Sequence, residues 1–77
     1  MPRYYFDVHD GTHLTPDDQG LELDSLEQAQ KEAVKALPEV ARDVLPNGSE
    51  RTFTITVKDE MKRPVLSAKL ALTVDRL

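Results

Sequence analysis

Hydrophobic residues alternate with polar ones in four segments of this chain, and in one segment between them they recur every three or four residues. Period two is typical of a strand with one buried face, and three-four spacing is typical of an amphipathic helix. The order is strand, strand, helix, strand, strand, and no linker divides it. The sequence therefore predicts one small α+β domain over residues 1–77.

The strand segments assign one side of each strand to the core. RYYFDVH at 3–9 and TFTITVK at 52–58 alternate cleanly, residues 65–74 alternate with leucine and alanine, and the second strand is interrupted at 15–20. The residues expected to face the helix are Tyr4, Phe6, Val8, Leu21, Leu23, Phe53, Ile55, Val57, Leu66, Ala68, Leu70, Leu72 and Val74. Chain direction and the preference for antiparallel neighbours predict a β-β-α-β-β sheet of four strands in the order 2-1-3-4.

The helix has a clear start and one anomaly. Ser25 is a candidate N-cap, with Gln28 three positions on as in a capping box. The apolar stripe expected to face the sheet is Leu26, Ala29, Ala33, Leu37, Val40 and Val44. Pro38 removes one helical hydrogen bond and clashes with the preceding turn, so the helix either kinks there or splits. Because the stripe continues through Pro38, we predict one kinked helix, ended by residues 46–48.

Charge argues against two classes of partner. The chain has 77 residues and a formal net charge of −4 at pH 7, whereas proteins that bind nucleic acid usually present a basic surface. The same charge opposes binding to anionic membranes, and no apolar run is long enough to span a bilayer. We therefore expect neither nucleic acid nor membrane as a partner.

Cysteine usage and the first residues suggest the compartment. The chain contains no cysteine, so it has neither a disulfide nor a thiolate metal site. Its opening residues lack the apolar core of a signal peptide. We expect a soluble, acidic protein of the reducing cytoplasm. No glycine-rich phosphate loop is present, and we expect no cofactor.

The opening MPRYYFDVHDG, the helix entry GLELDSLEQAQKEA and the hairpin TVKDEMKRPVL together resemble a family of short uncharacterised bacterial proteins. In that family an RYYF strand precedes DG, an acidic loop, an alanine-rich helix and a second hairpin. The resemblance covers nearly the whole chain but implies no activity, cofactor or catalytic residue. The arrangement of strands and helix is also similar to small antitoxin domains, a likeness of fold that does not fix function.

Both histidines lie in the acidic stretch FDVHDGTHLTPDDQG, residues 6–20. Imidazole and carboxylate are ligands of transition metals, so His9, His13 and Asp10 are the candidate metal ligands. However, Asp10-Gly11 predicts a two-residue hairpin turn, across which His9 pairs with Thr12 rather than with His13. We therefore expect surface histidines beside a polar turn and no metal site.

Catalytic patterns are equally weak. Ser25 and Ser67 have structural explanations, and no Gly-x-Ser-x-Gly elbow is present. Asp17 and Asp18 could serve as acid and base only in a pocket that shifts their pKa values. We expect no catalytic residues and no enzymatic activity.

The position of the last strand predicts an interface with another chain. In the order 2-1-3-4 it lies at an edge, and Pro64 and Lys69 only partly protect it against pairing with another strand. We therefore expect a binding or assembly module that forms a homodimer through this edge or through the sheet face opposite the helix. The interface candidates are Tyr5, Val65, Lys69 and Ala71. The alternatives are an antitoxin-like partner of a basic protein and a metal-binding protein using the His9/His13 region.

Overall fold

The computed structural model describes residues 2–44 and 50–77. Its elements are β1 (Arg3–His9), β2 (Leu14–Thr15), β3 (Leu21–Glu22), α1 (Leu26–Val44), β4 (Glu50–Lys58) and β5 (Pro64–Thr73). The expected α+β class, with one helix and an antiparallel sheet, is confirmed.

In the described residues the sheet has five strands instead of the four expected. Its path runs β2-β1-β4-β5, and β3 also pairs with β1. The predicted second strand is thus two short strands, both antiparallel to β1, separated by the loop at residues 16–20. With β2 and β3 in the place of that strand, the remaining order agrees with the predicted 2-1-3-4.

The core lies between α1 and the middle of the sheet. Phe53, Ile55 and Val57 alternate along β4 and are at most 1% exposed, so their side of the sheet is called the helix face below, and the opposite side the open face. From α1 the buried side chains are Ala29, Ala33, Leu37 and Ala41. They recur every four residues, and the alanines allow the helix to pack closely on β4 and β5.

The helix start is confirmed, and Pro38 does not split the helix. The Ser25 hydroxyl accepts a hydrogen bond from Gln28 N at 3.2 Å, which satisfies a donor that the first helical turn leaves free. A single helix runs through Pro38 from Leu26 to Val44. The predicted end at residues 46–48 and the side chain of Val44 lie outside the described residues.

Several residues expected to be buried are exposed. Leu26 is 40% exposed and Leu21 is 45% exposed. Leu21 belongs to a two-residue strand on the far side of β1, whereas the helix lies over β4 and β5. On the other flank Leu66 and Ala68 of β5 pack against the core, whereas Leu70 is 39% and Val74 is 55% exposed, so the helix leaves the later part of this strand uncovered.

The first hairpin has a longer turn than predicted. His9 pairs with Leu14, not with Thr12, and Asp10 N donates to the His13 carbonyl at 3.1 Å. The Asp10 carboxylate accepts hydrogen bonds from Thr12 N at 2.9 Å and His13 N at 2.7 Å. A short polar side chain that binds backbone two and three residues ahead stabilises this four-residue loop, which sequence alone does not distinguish from a tight turn.

The close contact between α1 and the sheet can be tested at Ala33, which is fully buried. Replacing Ala33 with leucine forces extra volume into a packed interface and should lower the free energy of unfolding by about 1–3 kcal/mol. Lys35→Leu introduces the same side chain at an exposed position of the same helix and should change it by less than about 0.5 kcal/mol. Urea denaturation measures both, and equal effects would contradict the packing described here.

Candidate functional site

The loop at residues 16–20 fills a gap in the sheet with a side chain. Between β2 and β3 the outer edge of β1 has no strand partner in the described residues, but the Asp17 carboxylate accepts a hydrogen bond from Phe6 N at 3.1 Å. The same carboxylate accepts from Gln19 N and Gly20 N, each at 3.1 Å. Asp17 thereby closes its own loop and satisfies a backbone donor of β1.

Gly20 is required at the end of this loop. Its φ is +74°, in the left-handed region, and a Cβ there would lie 2.8 Å from Arg3 Cγ and 3.0 Å from the Tyr4 carbonyl oxygen. Both the backbone angle and the lack of space therefore favour glycine. The loop is held close against β1 as a result.

Asp7 joins this loop to β4 across the open face. Asp7 is only 7% exposed, and its carboxylate accepts hydrogen bonds from Asp17 N at 2.9 Å and lies 2.7 Å from Lys58 Nζ. Burial raises the pKa of the Asp7 carboxyl, but the Asp17 N–H and the Lys58 ammonium outweigh burial and hold the pKa below that of an ordinary aspartate. A buried carboxylate with both partners in place is a structural anchor.

The pKa of Asp17 is lowered in the same way. Burial raises the pKa of the Asp17 carboxyl. The hydrogen bonds from the N–H groups of Gly20, Phe6 and Gln19 have the larger effect, so the pKa lies below that of an ordinary aspartate. Hydrogen bonds to the charged form favour that form. Asp17 therefore stays ionised, as its role of accepting backbone hydrogen bonds requires.

The two histidines of the acidic stretch lie at the surface of the first hairpin. His9 and His13 are exposed, His9 Nδ1 accepts a hydrogen bond from Gly11 N at 3.1 Å, and Asp10 holds the turn. Within residues 2–44 and 50–77, no three His, Asp or Glu side chains form a group able to hold a metal ion.

A polar concavity of about 520 Å³ lies at one end of the sheet. It is bordered by the turn of the first hairpin, the first residues of β4 and the last residues of β5. Arg51 supplies its cation, but Arg51 Nε donates to the Asp10 carbonyl at 2.7 Å, and its Nη2 lies 4.0 Å from the Asp10 carboxylate. The arginine is thus already engaged in fixing the hairpin to β4.

The open face is partly covered at its centre. Tyr5 is half-buried, and Lys62 Nζ lies 3.4 Å from the centroid of its ring. Lys62 belongs to the turn between β4 and β5 and has a positive φ of 64°. A cation over an aromatic face is an attractive contact that occupies the ring. Lys62 therefore occupies one face of the ring of Tyr5, which is one of the interface candidates.

The other three interface candidates, Val65, Lys69 and Ala71, are exposed on β5. In the part of the chain that the structure describes, β5 pairs with β4 alone and so leaves one edge of the sheet free. Phe6 N donates to Asp17 on the outer side of β1, so the N–H group of Phe6 points away from β4. This direction at one residue defines the direction of the backbone groups along the whole of β1.

Backbone groups of successive residues in an antiparallel sheet point to alternate neighbours. The registers of β1 with β4 and of β4 with β5 relate the direction of the backbone groups at Phe6 to the direction at each residue of β5. Leu66, Ala68 and Leu70 then direct their backbone groups to β4. The N–H and C=O groups of Ser67, Lys69 and Ala71 point to the free edge and are available to another strand.

An apolar groove of about 540 Å³ lies on the helix face beside this edge, between α1 and β5. The helix contributes Val34, Leu37 and Pro38, and the strand contributes Leu66 and Leu70. The hydrophobic pattern does not predict this groove, because Val34 lies off the predicted stripe and a proline within a helix indicates only a change in the helix path. The signal was that Val34 and Pro38 are four residues apart and share one side of the helix.

The comparisons with known proteins agree with the resemblance stated above. Residues 3–71 match the model of a family described as domain of unknown function DUF6894. The chain belongs to this family. The DUF6894 match includes β1 to α1 and nearly all of β4 and β5, so the free edge and the groove lie almost entirely within it.

The expectation of a family without an assigned activity is thus confirmed. The search of curated proteins and the search of solved structures returned no significant match to this DUF6894 chain. Within the described residues, no helix combines the length and the apolar character needed to cross a membrane.

The anchoring role of Asp17 can be tested against its neighbour. Asp17→Ala leaves the N–H groups of Phe6, Gln19 and Gly20 without their acceptor and should lower the free energy of unfolding by about 1–3 kcal/mol. Asp18→Ala removes the adjacent, exposed carboxylate and should cost less than about 0.5 kcal/mol. Urea denaturation of the two variants decides, and equal losses would show that the loop does not depend on Asp17.

Acid should destabilise the fold through the same carboxylates. The pKa values of Asp7, Asp10 and Asp17 are lowered in the folded protein relative to an ordinary aspartate, so the unfolded chain takes up protons at higher pH than the folded chain. Their contribution to stability is therefore complete above about pH 5 and is lost as the pH falls through the folded-state values.

Urea denaturation between about pH 2 and pH 7 measures this dependence. The free energy of unfolding should fall with pH below about 5 in the wild type, and the fall should be shallower in Asp7→Asn with Asp17→Asn. A wild-type stability that stays constant or rises on acidification would contradict the assignment.

Proposed function

We propose that this chain is a non-enzymatic assembly module that forms a homodimer by antiparallel pairing of β5 with β5 of a second copy. The observation that carries the proposal is the free edge of β5, a strand that runs from Pro64 to Thr73 with exposed side chains along most of its length. Long, exposed edge strands tend to pair with another strand unless they are protected. On β5 such protection is limited to Pro64 at its start and Lys69 in its middle.

The edge is a better interface than the open face. The sequence left both routes to a dimer open, and packing through the open face would need Tyr5 to contact the second copy. Lys62 covers the Tyr5 ring, and the Asp7–Lys58 ion pair lies on the same face. Burying these charges would carry a desolvation cost, whereas pairing at the β5 edge satisfies backbone groups that otherwise face water.

The aspartates support a binding role over an enzymatic one. Asp7 and Asp17 have lowered pKa values and hold backbone N–H groups or Lys58. A general acid or base works best with a pKa near the working pH, so these carboxylates are suited to anchoring the fold. We place the module in the cytoplasm because it has no cysteine.

An antitoxin-like partner of a basic protein is supported by the net charge of −4 alone. The free edge and the adjacent groove are surfaces of a different kind, because no carboxylate is among the residues that line the groove. Edge pairing with a second copy therefore has the stronger support.

Analytical ultracentrifugation of the wild type and two variants tests the proposal. The wild type should sediment as a dimer at micromolar concentrations. Lys69→Pro removes an N–H that faces the free edge while leaving the bonds to β4 in place, a position at which an edge strand tolerates proline. We expect this variant to be a folded monomer by circular dichroism and sedimentation, with the dimer weakened at least about tenfold.

Lys69→Gln is the matched control, because it removes the same charge and keeps the backbone donor. It should dimerise as well as the wild type. If Lys69→Pro fails to fold, Leu70→Asp provides a second test, since Leu70 is 39% exposed beside the edge and a carboxylate there would be desolvated on pairing. A wild type that remains monomeric throughout would refute edge-paired assembly.

A further inference from the structure

The groove between α1 and β5 has an apolar lining that its own chain leaves open. Val34 from the helix is 56% exposed and Leu70 from the strand is 39% exposed. Because the groove lies beside the free edge, a strand that pairs with β5 also places every second side chain against the groove. The groove therefore belongs to the same surface as the edge.

The C-terminal half of β5 carries side chains that suit this groove. Leu70, Leu72 and Val74 lie in one phase of the strand, on the helix face, and Val74 is 55% exposed directly after the end of β5. The strand side of the groove runs from Leu66 to Leu70, so Leu72 and Val74 lie beyond the lining of their own chain. A twofold axis near the middle of the strand would place each half opposite the other.

Four registers around such an axis differ in overlap and in the position of the lysines. Centring the axis on Ala68 pairs residues 64–72 and separates the lysines, but it sets Leu72 opposite Pro64 and leaves Val74 outside the overlap. Centring the axis on Lys69 pairs the strands over residues 65–73 but places two ammonium groups directly opposite each other, which is destabilising. Centring it on Ala71 pairs only residues 69–73 within β5. Centring it on Leu70 pairs residues 67–73 and sets each Lys69 opposite Ala71 of the second copy, so this register combines a long overlap with separated charges.

We infer that the dimer has its twofold axis at Leu70 and that Leu70, Leu72 and Val74 of each copy fill the groove between α1 and β5 of the other. This inference rests on the edge pairing proposed above and adds its register and the role of the groove. In this register Leu72 faces Ala68 and Val74 faces Leu66 of the second copy. The exposed apolar groups of one copy thus cover those of the other.

The chemistry of the groove favours a second copy as its occupant. Residues 64–74 contain no Asp or Glu and one lysine, and the groove lining likewise contains no carboxylate and one lysine, Lys69. A basic peptide would find no counter-charge there. A segment with the same apolar alternation satisfies both the open backbone edge and the lining, and β5 itself is such a segment.

Single-cysteine variants read out the register, since the wild type has no cysteine. Leu70 directs its backbone groups to β4, so two Leu70 residues across the axis form a non-hydrogen-bonded pair with Cα atoms about 4.5 Å apart. This distance permits a disulfide. Under mild oxidation Leu70→Cys should cross-link at least about tenfold faster than Lys69→Cys or Ala71→Cys, as followed on non-reducing gels.

A mixture of Ala68→Cys and Leu72→Cys chains provides an independent check. These positions face each other in the Leu70-centred register, so the mixture should form the mixed disulfide in preference to either symmetric one. Faster cross-linking at Lys69→Cys or Ala71→Cys in a chain whose wild type is dimeric would overturn the register while leaving edge pairing intact. A monomeric wild type would overturn both the register and edge pairing.

The groove is tested separately by Val34→Asp. This change places a carboxylate in the lining and should weaken the dimer at least about tenfold, whereas Lys35→Asp, at an exposed position outside the lining of the same helix, should leave the dissociation constant within about twofold. Sedimentation equilibrium measures both. Equal dissociation constants for the two variants would show that the dimer does not use the groove.

Discussion

The packing of one narrow helix on β4 and β5 of a wider sheet determines most of the remaining structure. Ala29 and Ala33 are fully buried and bring α1 close to Phe53, Ile55 and Val57 of β4. A helix with its side chains is about 10–12 Å wide, and strands are about 4.8 Å apart. The helix therefore covers about two strands, and apolar residues on both flanks of the sheet stay exposed.

The two flanks are completed in different ways. On the β1 side, the chain inserts a loop whose Asp17 carboxylate accepts the hydrogen bond from Phe6 N, and Asp7 and Lys58 fix that loop to the open face. This flank is closed by groups of the same chain. On the β5 side, the described residues provide no comparable cover, and both the backbone edge and the groove next to α1 face solvent.

This asymmetry is the basis of the proposed assembly. Asp7 and Asp17 of the acidic stretch hold the loop at residues 16–20 against β1, so their charge stabilises the fold. The groups available for a partner are instead backbone donors and acceptors and aliphatic side chains, which a second β5 matches. A small domain with limited core also gains stability from such an interface, because association buries apolar surface that folding leaves exposed.

The sequence by itself determined the order of strand segments and helix, the helix start at Ser25 and the helix-facing phase of each strand, because period-two and three-four patterns act over a few neighbouring residues. The family followed from the resemblance of the opening, the helix entry and the second hairpin. Tertiary structure decided the rest. It divided the second strand in two, set the four-residue turn held by Asp10, brought Asp7 to Lys58 and exposed Leu21 and Val34. These features depend on register between distant strands and on the width of one helix relative to the sheet, and neither quantity is encoded in a local pattern.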